Sequence, residues 1–379
     1  MMSHPIPGPP QDAHDPWALA PRESPKPVHP QDGPAPTPWP TPGPGPGQAG
    51  FPRQGAYGGA PYGRWPEAPV PAPGPVPAPP GAAYHEQGRN GRQRGGARVG
   101  EFFLGLALMV GVILFVFAAC AVAGSALGLE FGPEGSTAVF ADPLLDNSVT
   151  LVAIGLWTPA VLIAVRACGG RPAGTLVSVT GRLRWGWWGR CLALAGAVML
   201  LQNLVMFVWS LWQEGDEAVA GEFPGWSSLG LSLVVLWALV PFQAAAEEFV
   251  FRGWLVQLFG GFVRSPWPGV VVTSLLFSLA HGYGQLSGFL LLCYSAIWWG
   301  WLTIRTGGLE AVIAGHTVNN LIAFSLAGVF GELSDQSTAA DAPWEALVTE
   351  LVFTPVFCLL AARLADRHAI ATRTPRPTP

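Results

Sequence analysis

Residues 229–258 read LGLSLVVLWALVPFQAAAEEFVFRGWLVQL. The part from 229 to 246 carries no charged side chain and is as apolar as a segment that crosses a lipid bilayer. A carboxylate inside a bilayer costs at least about 2.5 kcal/mol on insertion scales, and two adjacent carboxylates also repel each other. A chain that keeps Glu247 and Glu248 in such a helix is therefore expected to use them.

The composition of the whole chain agrees with a membrane protein. Only 12% of its 379 residues are charged, against about 25% in soluble domains, and the apolar residues are gathered in runs near the length that spans a bilayer. We predict an all-α, polytopic membrane bundle of about eight transmembrane helices. The candidate spans are 101–124, 147–167, 188–212, 229–258, 267–283, 286–304, 309–330 and 344–364.

The connections between these spans alternate in charge. The segment 130–146 is acidic without Arg or Lys, the next connection carries Arg171, Arg182 and Arg184, and the pattern repeats along the chain. Because arginine-rich connections stay in the cytoplasm, we expect both termini to be cytoplasmic. The excess of Arg over Lys, with Lys26 as the single lysine, is typical of a GC-rich bacterial genome and suggests a bacterial cell membrane.

Residues 1–97 differ from the rest of the chain. The first 80 residues hold 26 of the 39 prolines, and such a segment buries too little apolar surface to offset its chain entropy. We predict a disordered, Pro/Gly-rich cytoplasmic tail, which either binds partners that recognise proline-rich strands or is a solvated spacer. The membrane domain is then 98–368, with the motif-bearing core at 229–330, and 369–379 form a short flexible C-terminal tail.

The glutamate pair divides into two roles on a helix. Glu248 and Arg252 are four residues apart, so they share a face and can form an ion pair, whereas Glu247 points about 100° away. We predict that Arg252 holds Glu248 and that Glu247 handles protons as a general base. The alternative is a structural ion pair with a spare carboxylate that faces a wet cavity.

Two further pairs carry the remaining polar groups of the membrane region. Phe277 can pack against the imidazole of His281, and His316 lies four residues before Asn320. These groups suit hydrolysis, with water activated by Glu247 and His281 and an oxyanion bound by His316 and Asn320. Alternatively, His281, His316 and Glu247 would hold a divalent metal such as zinc that activates the water.

Other candidates receive a structural interpretation. Gln243, four residues before Glu247, either lines the cavity or forms an interhelical hydrogen bond. Trp298, Trp299 and Trp301 are typical of the aromatic belt at a membrane surface. The five cysteines lie singly and indicate neither a zinc site nor a disulfide framework.

Taken in order, E-E-x-x-x-R at 247–252, F-x-x-x-H at 277–281 and H-x-x-x-N at 316–320 resemble the CPBP intramembrane proteases. That family includes the type II CAAX prenyl endopeptidases and bacterial bacteriocin-processing or self-immunity proteins. The resemblance covers roughly 229–330 and has no counterpart for the N-terminal tail. It implies that the glutamate pair and the first histidine activate water, while the second histidine and the asparagine stabilise the tetrahedral intermediate. Metal-dependent and metal-free mechanisms both stay open.

The expected function is an intramembrane endopeptidase that acts on a membrane-associated peptide or protein, with the lipid bilayer as its surroundings and no nucleic-acid partner. Two other classes of function stay open. One is a non-catalytic membrane scaffold or immunity protein that recruits partners through its proline-rich tail. The other is a proton-coupled transporter that uses the glutamates and histidines as a relay, although no pair of matching broken helices is evident in the sequence.

Overall fold

A computed structural model of the chain describes residues 74–215, 221–282, 284–335 and 337–376. This part of the protein is all-helical and contains no β-strand, as the sequence predicts. The ten α-helices are α1 (Gly95–Leu127), α2 (Pro143–Gly155), α3 (Trp157–Ala167), α4 (Trp185–Glu214), α5 (Trp226–Glu248), α6 (Val256–Phe262), α7 (Trp267–Ala280), α8 (Leu286–Thr306), α9 (Glu310–Phe330) and α10 (Trp344–Arg367). Short 3-10 turns are Tyr84–Gly88, Ala173–Leu176 and Ala339–Asp341, and a π-helix, Phe249–Leu255, joins α5 to α6.

Within the described residues, seven helical segments are long and apolar enough to cross a membrane. Six predicted spans correspond to α1, α4, the α5–α6 segment, α8, α9 and α10, and α2 with α3 forms the seventh. The helix α7 is apolar but only 14 residues long, and it occupies the position of the remaining predicted span. The prediction of a multi-pass helical membrane protein is therefore confirmed.

Local sequence signals explain where several helices begin and end. Asp142 precedes α2 and its side chain accepts a hydrogen bond from the backbone N–H of Leu145 at 2.7 Å, while Pro143 occupies the first helical position. The helices α8 and α9 are followed directly by Gly307 and Gly331, whose φ angles of 67° and 74° suit glycine. These ends set the length of the helices that carry the site.

The helix α9 is the centre of the bundle and packs against α4, α5 and α8. Its first two turns, Glu310 to Thr317, are entirely buried. At its start the Arg184 guanidinium binds both carboxylate oxygens of Glu310, at 2.7 and 2.6 Å. His316 is consequently held in the interior of the bundle rather than on its lipid-facing surface.

A second buried ion pair fixes the π-helix. Arg171 binds both oxygens of Glu101 at 3.0 Å, and neither side chain is exposed. Trp254, in the π-helix, donates its indole N–H to the same carboxylate at 3.0 Å. A buried charge is tolerated only when it is paired and hydrogen-bonded. Through these bonds Glu101 connects α1 and the loop that carries Arg171 to the segment that follows the glutamate pair.

The structure places part of the predicted tail inside the packed domain. Residues 1–73 lie outside the described residues, but the turn Tyr84–Gly88 packs against α6. Tyr84 is fully buried and donates its hydroxyl to the carbonyl of Leu176. The predicted boundary at 97 therefore differs from the structure, because the buried aromatic ring and the backbone bond from Val76 to Gly170 (2.8 Å) place residues before 97 in the packed part.

We expect Gly260→Ala to destabilise the protein, since this contact leaves no room for a side chain. A Cβ at Gly260 would lie 1.8 Å from the carbonyl oxygen of His85 and 2.7 Å from its carbonyl carbon. Forcing backbone apart in a packed region costs about 1–3 kcal/mol, which thermal unfolding in detergent should report as a lower midpoint. Gly189→Ala in α4 is the control, because a Cβ there meets no heavy atom within 4 Å. If the wild type and Gly260→Ala unfolded at the same midpoint, the Tyr84–Gly88 turn would not pack on α6.

Candidate active site

Glu248 forms the best-connected part of the site. Its Oε1 accepts a hydrogen bond from Arg252 Nη1 at 3.0 Å and another from His316 Nδ1 at 2.8 Å. Glu248 has no exposed surface, and His316 is 5% exposed. An ionised carboxylate only accepts hydrogen bonds, so Nδ1 of the imidazole is the donor. The ion pair predicted from the four-residue spacing is present, and it is joined to α9 through His316.

Glu247 has different neighbours, although it is adjacent in sequence. Its Oε1 accepts a hydrogen bond from Gln243 Nε2 at 2.7 Å, and the Gln243 carbonyl oxygen accepts one from Asn320 Nδ2 at 3.0 Å. Its Oε2 is buried and has no hydrogen-bond partner among the described residues, and the same holds for Oε2 of Glu248. His316 Nε2 lies 3.6 Å from Oε2 of Glu247. One oxygen of Glu247 is therefore held while the other is available to a water molecule or a substrate.

An aromatic frame surrounds the arginine. The Arg252 guanidinium lies 4.0 Å from the centroid of the Phe277 ring and 5.5 Å from that of Trp299. Trp299 also lies 5.4 Å from the His316 ring and is only 7% exposed. The interpretation of Trp299 as a residue of the membrane-surface belt is therefore wrong. The Trp299 side chain points from α8 into the bundle interior. There the Arg252 guanidinium is stabilised by the aromatic rings next to it.

His281 lies at the C-terminal end of α7, outside the hydrogen-bond network of the glutamates. Its Nδ1 donates to the carbonyl of Phe277 at 2.9 Å, and the two rings are 4.6 Å apart. The predicted packing of Phe277 on His281 is present. Among the described residues, no hydrogen bond joins His281 to Glu247 or Glu248. The Phe277 ring separates it from His316, whose ring centroid is 6.2 Å from that of Phe277.

The loop before α10 covers this side of the site. Thr338 donates its hydroxyl to the carbonyl of His281 at 3.2 Å, and the backbone N–H of Gln285 donates to the carbonyl of Ala340 at 2.8 Å. Ala340 is buried in the same apolar cluster as Phe277 and Leu292. The loop thus fixes the backbone of His281 from the end of the bundle that is opposite to the arginine-rich connections.

The donor set does not match a metal site. Within the described residues no three His, Cys, Asp or Glu side chains are placed to hold a metal ion together. The alternative set of His281, His316 and Glu247 is not gathered at one point in this part of the chain. The Nδ1 contacts of the two histidines do not decide this, because they leave Nε2 of each ring free.

Two residues, Gln243 and Trp299, contact more of the candidate active site than the sequence suggests. Gln243 links Glu247 to Asn320 across two helices, and the Q-x-x-x-E spacing on α5 was a usable signal for its bond to Glu247. Trp299 had no such signal, since nothing in the sequence reports which face of α8 points inward. Three of the predicted residues share one buried network, namely Glu248, Arg252 and His316.

This arrangement suits hydrolysis. It holds a buried carboxylate with one unoccupied oxygen, an imidazole that faces this oxygen, and an amide on the neighbouring helix. The buried groups are pre-oriented by Arg252 and Gln243, so they need little rearrangement to act on a bound substrate.

Comparisons with known proteins match this region. Residues 229–322 match the family described as type II CAAX prenyl endopeptidase Rce1-like. The chain is also 29% identical over 191 residues to the uncharacterized protein YyaK of Bacillus subtilis (strain 168), a match over 48% of this chain and 62% of that protein. No solved structure matches the chain. The segment that carries Glu247, His281 and Asn320 is thus similar to the type II CAAX prenyl endopeptidases, which confirms the resemblance predicted from the three motifs.

Proposed function

We propose that this protein is an intramembrane endopeptidase that hydrolyses a peptide bond through a water molecule activated by Glu247. The Rce1-like match supports peptidase activity in general. The observation that carries the finer proposal is the division of the glutamate pair. Oε1 of Glu248 accepts hydrogen bonds from both Arg252 and His316, and Glu248 has no exposed surface. Glu247 has no arginine partner, is 7% exposed and is held through Oε1 by Gln243 alone.

The proposed reaction begins with water next to Oε2 of Glu247. Glu247 takes a proton from the water as the water oxygen attacks the scissile carbonyl carbon. The tetrahedral intermediate then collapses, the carbon–nitrogen bond breaks, and the proton passes from Glu247 to the leaving amine. Gln243 keeps Glu247 in position through its 2.7 Å hydrogen bond.

The donors for the developing oxyanion come from α9 in this proposal. His316 faces Glu247 through Nε2. Because Nδ1 already donates to Glu248, His316 donates to the oxyanion only as a ring protonated on both nitrogens. Asn320 has two amide hydrogens, of which the bond to Gln243 uses one. The second hydrogen is available to the oxyanion. His281 acts as co-activator of the water: its Nδ1 carries the hydrogen donated to Phe277, so a neutral ring has Nε2 as an acceptor.

The substrate in this proposal is a membrane-associated peptide or protein. The site lies on α5 and α9, both of which are candidate membrane spans, so the scissile bond has to reach it within or beside the bilayer. The match to a bacterial protein supports a bacterial cell membrane. The positive-inside rule supports cytoplasmic termini.

We expect Asn320→Ala to lower kcat by roughly 100-fold or more, which is the usual effect of removing one oxyanion donor. Fluorogenic peptides with a hydrophobic C-terminal segment, cleaved by the purified full chain in detergent, provide the measurement. Asn203→Ala in α4 is the control, because the Asn203 amide donates to the carbonyl of Met199 in its own helix. If both variants cleave like the wild type, Asn320 is not an oxyanion donor.

A further inference from the structure

A pocket lies at the end of the bundle where α8 finishes. Its volume is about 250 Å³. Its walls come from α8, the segment that follows α10, and the segment before the Tyr84–Gly88 turn. The lining residues are Ala83, Trp301, Ile304, Arg305, Thr372 and Arg373.

Both arginines of the pocket are held by groups that do not line it. Arg305 Nη2 binds both carboxylate oxygens of Asp366 at 2.7 Å, and Arg373 Nη1 donates to the carbonyl of Gly81 at 3.0 Å. Each contact uses a single nitrogen of a guanidinium that has five N–H donors. The two cationic groups are therefore oriented in advance, and the residues that line the pocket include no carboxylate.

The wall that carries Arg373 is also fixed. The backbone N–H of Gly81 donates to the carbonyl of Thr374, and the N–H of Thr374 donates to the carbonyl of Ala82, both at 2.9 Å. Arg184, from the start of α4, donates to the carbonyl of Ala371 at 2.8 Å. A site whose backbone and side chains are ordered before binding loses less entropy when a ligand arrives.

The residues that line this pocket suit a ligand that has an anionic group next to an apolar part. Guanidinium groups bind phosphate oxygens through paired N–H donors. Trp301 and Ile304 give the pocket an apolar wall next to the membrane surface, where tryptophan is favoured. The pocket also lies at the arginine-bearing end of the bundle, where the positive-inside rule predicts the cytoplasmic leaflet and its anionic lipids.

We propose that this pocket binds the phosphate of an anionic phospholipid headgroup. A free phosphate ion shares the ionic chemistry but would not use the wall formed by Trp301 and Ile304. The proposal is independent of the peptidase proposal, because none of the lining residues belongs to the glutamate network.

The test uses the purified full chain in micelles that contain equal amounts of phosphatidylglycerol and phosphatidylcholine, with retained lipid measured by native mass spectrometry. We expect the wild type to retain phosphatidylglycerol preferentially. Each of Arg305→Gln and Arg373→Gln should lower that preference roughly fivefold, as expected for one basic residue at an anionic membrane surface, and the double variant should abolish it. Arg376→Gln is the matched control, since it is exposed, lies in the same terminal segment and does not line the pocket.

A second arm separates the two sources of phosphate. Inorganic phosphate and glycerol 3-phosphate are titrated against the lipid-loaded protein. Lipid retained at millimolar phosphate supports a headgroup site that also uses the apolar wall. Complete displacement by inorganic phosphate, a double variant that retains phosphatidylglycerol like the wild type, or an Arg376→Gln variant that loses as much as the pocket variants would each overturn the proposal.

Discussion

Glu247→Gln is expected to abolish peptide cleavage, with a loss of at least about 1,000-fold in kcat. Glutamine keeps the size of the side chain and can still bond to Gln243, but it cannot accept the proton of the attacking water. General base catalysis is worth typically 10²–10⁴-fold, and the substitution also removes the negative charge that positions the water. The measurement is the initial rate on the same fluorogenic peptides in detergent.

The control for this variant is its fold and its binding of peptide. Removing a buried, partly unpaired carboxylate should leave the melting midpoint unchanged or raise it, since the oxygen Oε2 has no partner to lose. A variant that binds peptide with wild-type affinity but does not cleave it would fit a chemical role. A Glu247→Gln protein that cleaves at the wild-type rate would remove Glu247 from the mechanism. If the wild type cleaves nothing, the scaffold interpretation with its proline-rich tail gains support.

Arg252→Met is expected to cause the largest loss of stability, about 3–5 kcal/mol. Arg252 is 2% exposed and is the cationic partner of a carboxylate with no exposed surface. Removal of one member of such a pair leaves the other charge buried without compensation. Methionine fills similar space but gives up the hydrogen bond at 3.0 Å and the stacking on Phe277. Chemical or thermal unfolding in detergent measures the change.

The double variant Glu248→Gln/Arg252→Met separates charge from packing. With both charges gone, no carboxylate is left without a counterion, so part of the lost stability should return. Activity should stay low in the double variant because His316 no longer bonds to an ionised Glu248. Equal stability of wild type and Arg252→Met would contradict the view that this ion pair supports the site.

Contacts within one helix could be predicted, because the α-helical repeat fixes which residues share a face. The pair Glu248–Arg252 and the packing of Phe277 on His281 both follow from a spacing of four. The helical membrane bundle and most of its spans could likewise be predicted from the apolar segments, since a span needs about twenty apolar residues.

Contacts between helices could not be predicted in the same way. The sequence does not report how each helix is rotated in the bundle, so neither the bond from Asn320 to Gln243 nor the burial of Trp299 could be derived. The π-helix that begins at Phe249 also changes the phase of the chain after the glutamates, and π-turns of this kind are frequent at functional sites. The metal alternative was open for the same reason, since it required three donors from three different helices to meet at one point.

The boundary of the N-terminal tail shows a limit of composition. In this segment proline stops at Pro80 while glycine continues to Gly96, so composition does not mark one boundary, whereas burial depends on single side chains such as Tyr84. Burial and a hydrogen bond to the Arg264 carbonyl likewise fix His85, whose pKa is lowered mainly by burial. Neither property is visible in the average composition of the segment.

Hydrolysis in water enriched with oxygen-18 tests the central claim most directly. The wild-type chain is incubated with peptides that carry a hydrophobic C-terminal segment, and early products are analysed by mass spectrometry. A water molecule activated by Glu247 predicts one oxygen-18 atom in the new carboxyl terminus, with no product from Glu247→Gln. Unlabelled product, or labelled product formed equally by the Glu247→Gln variant, would contradict this mechanism.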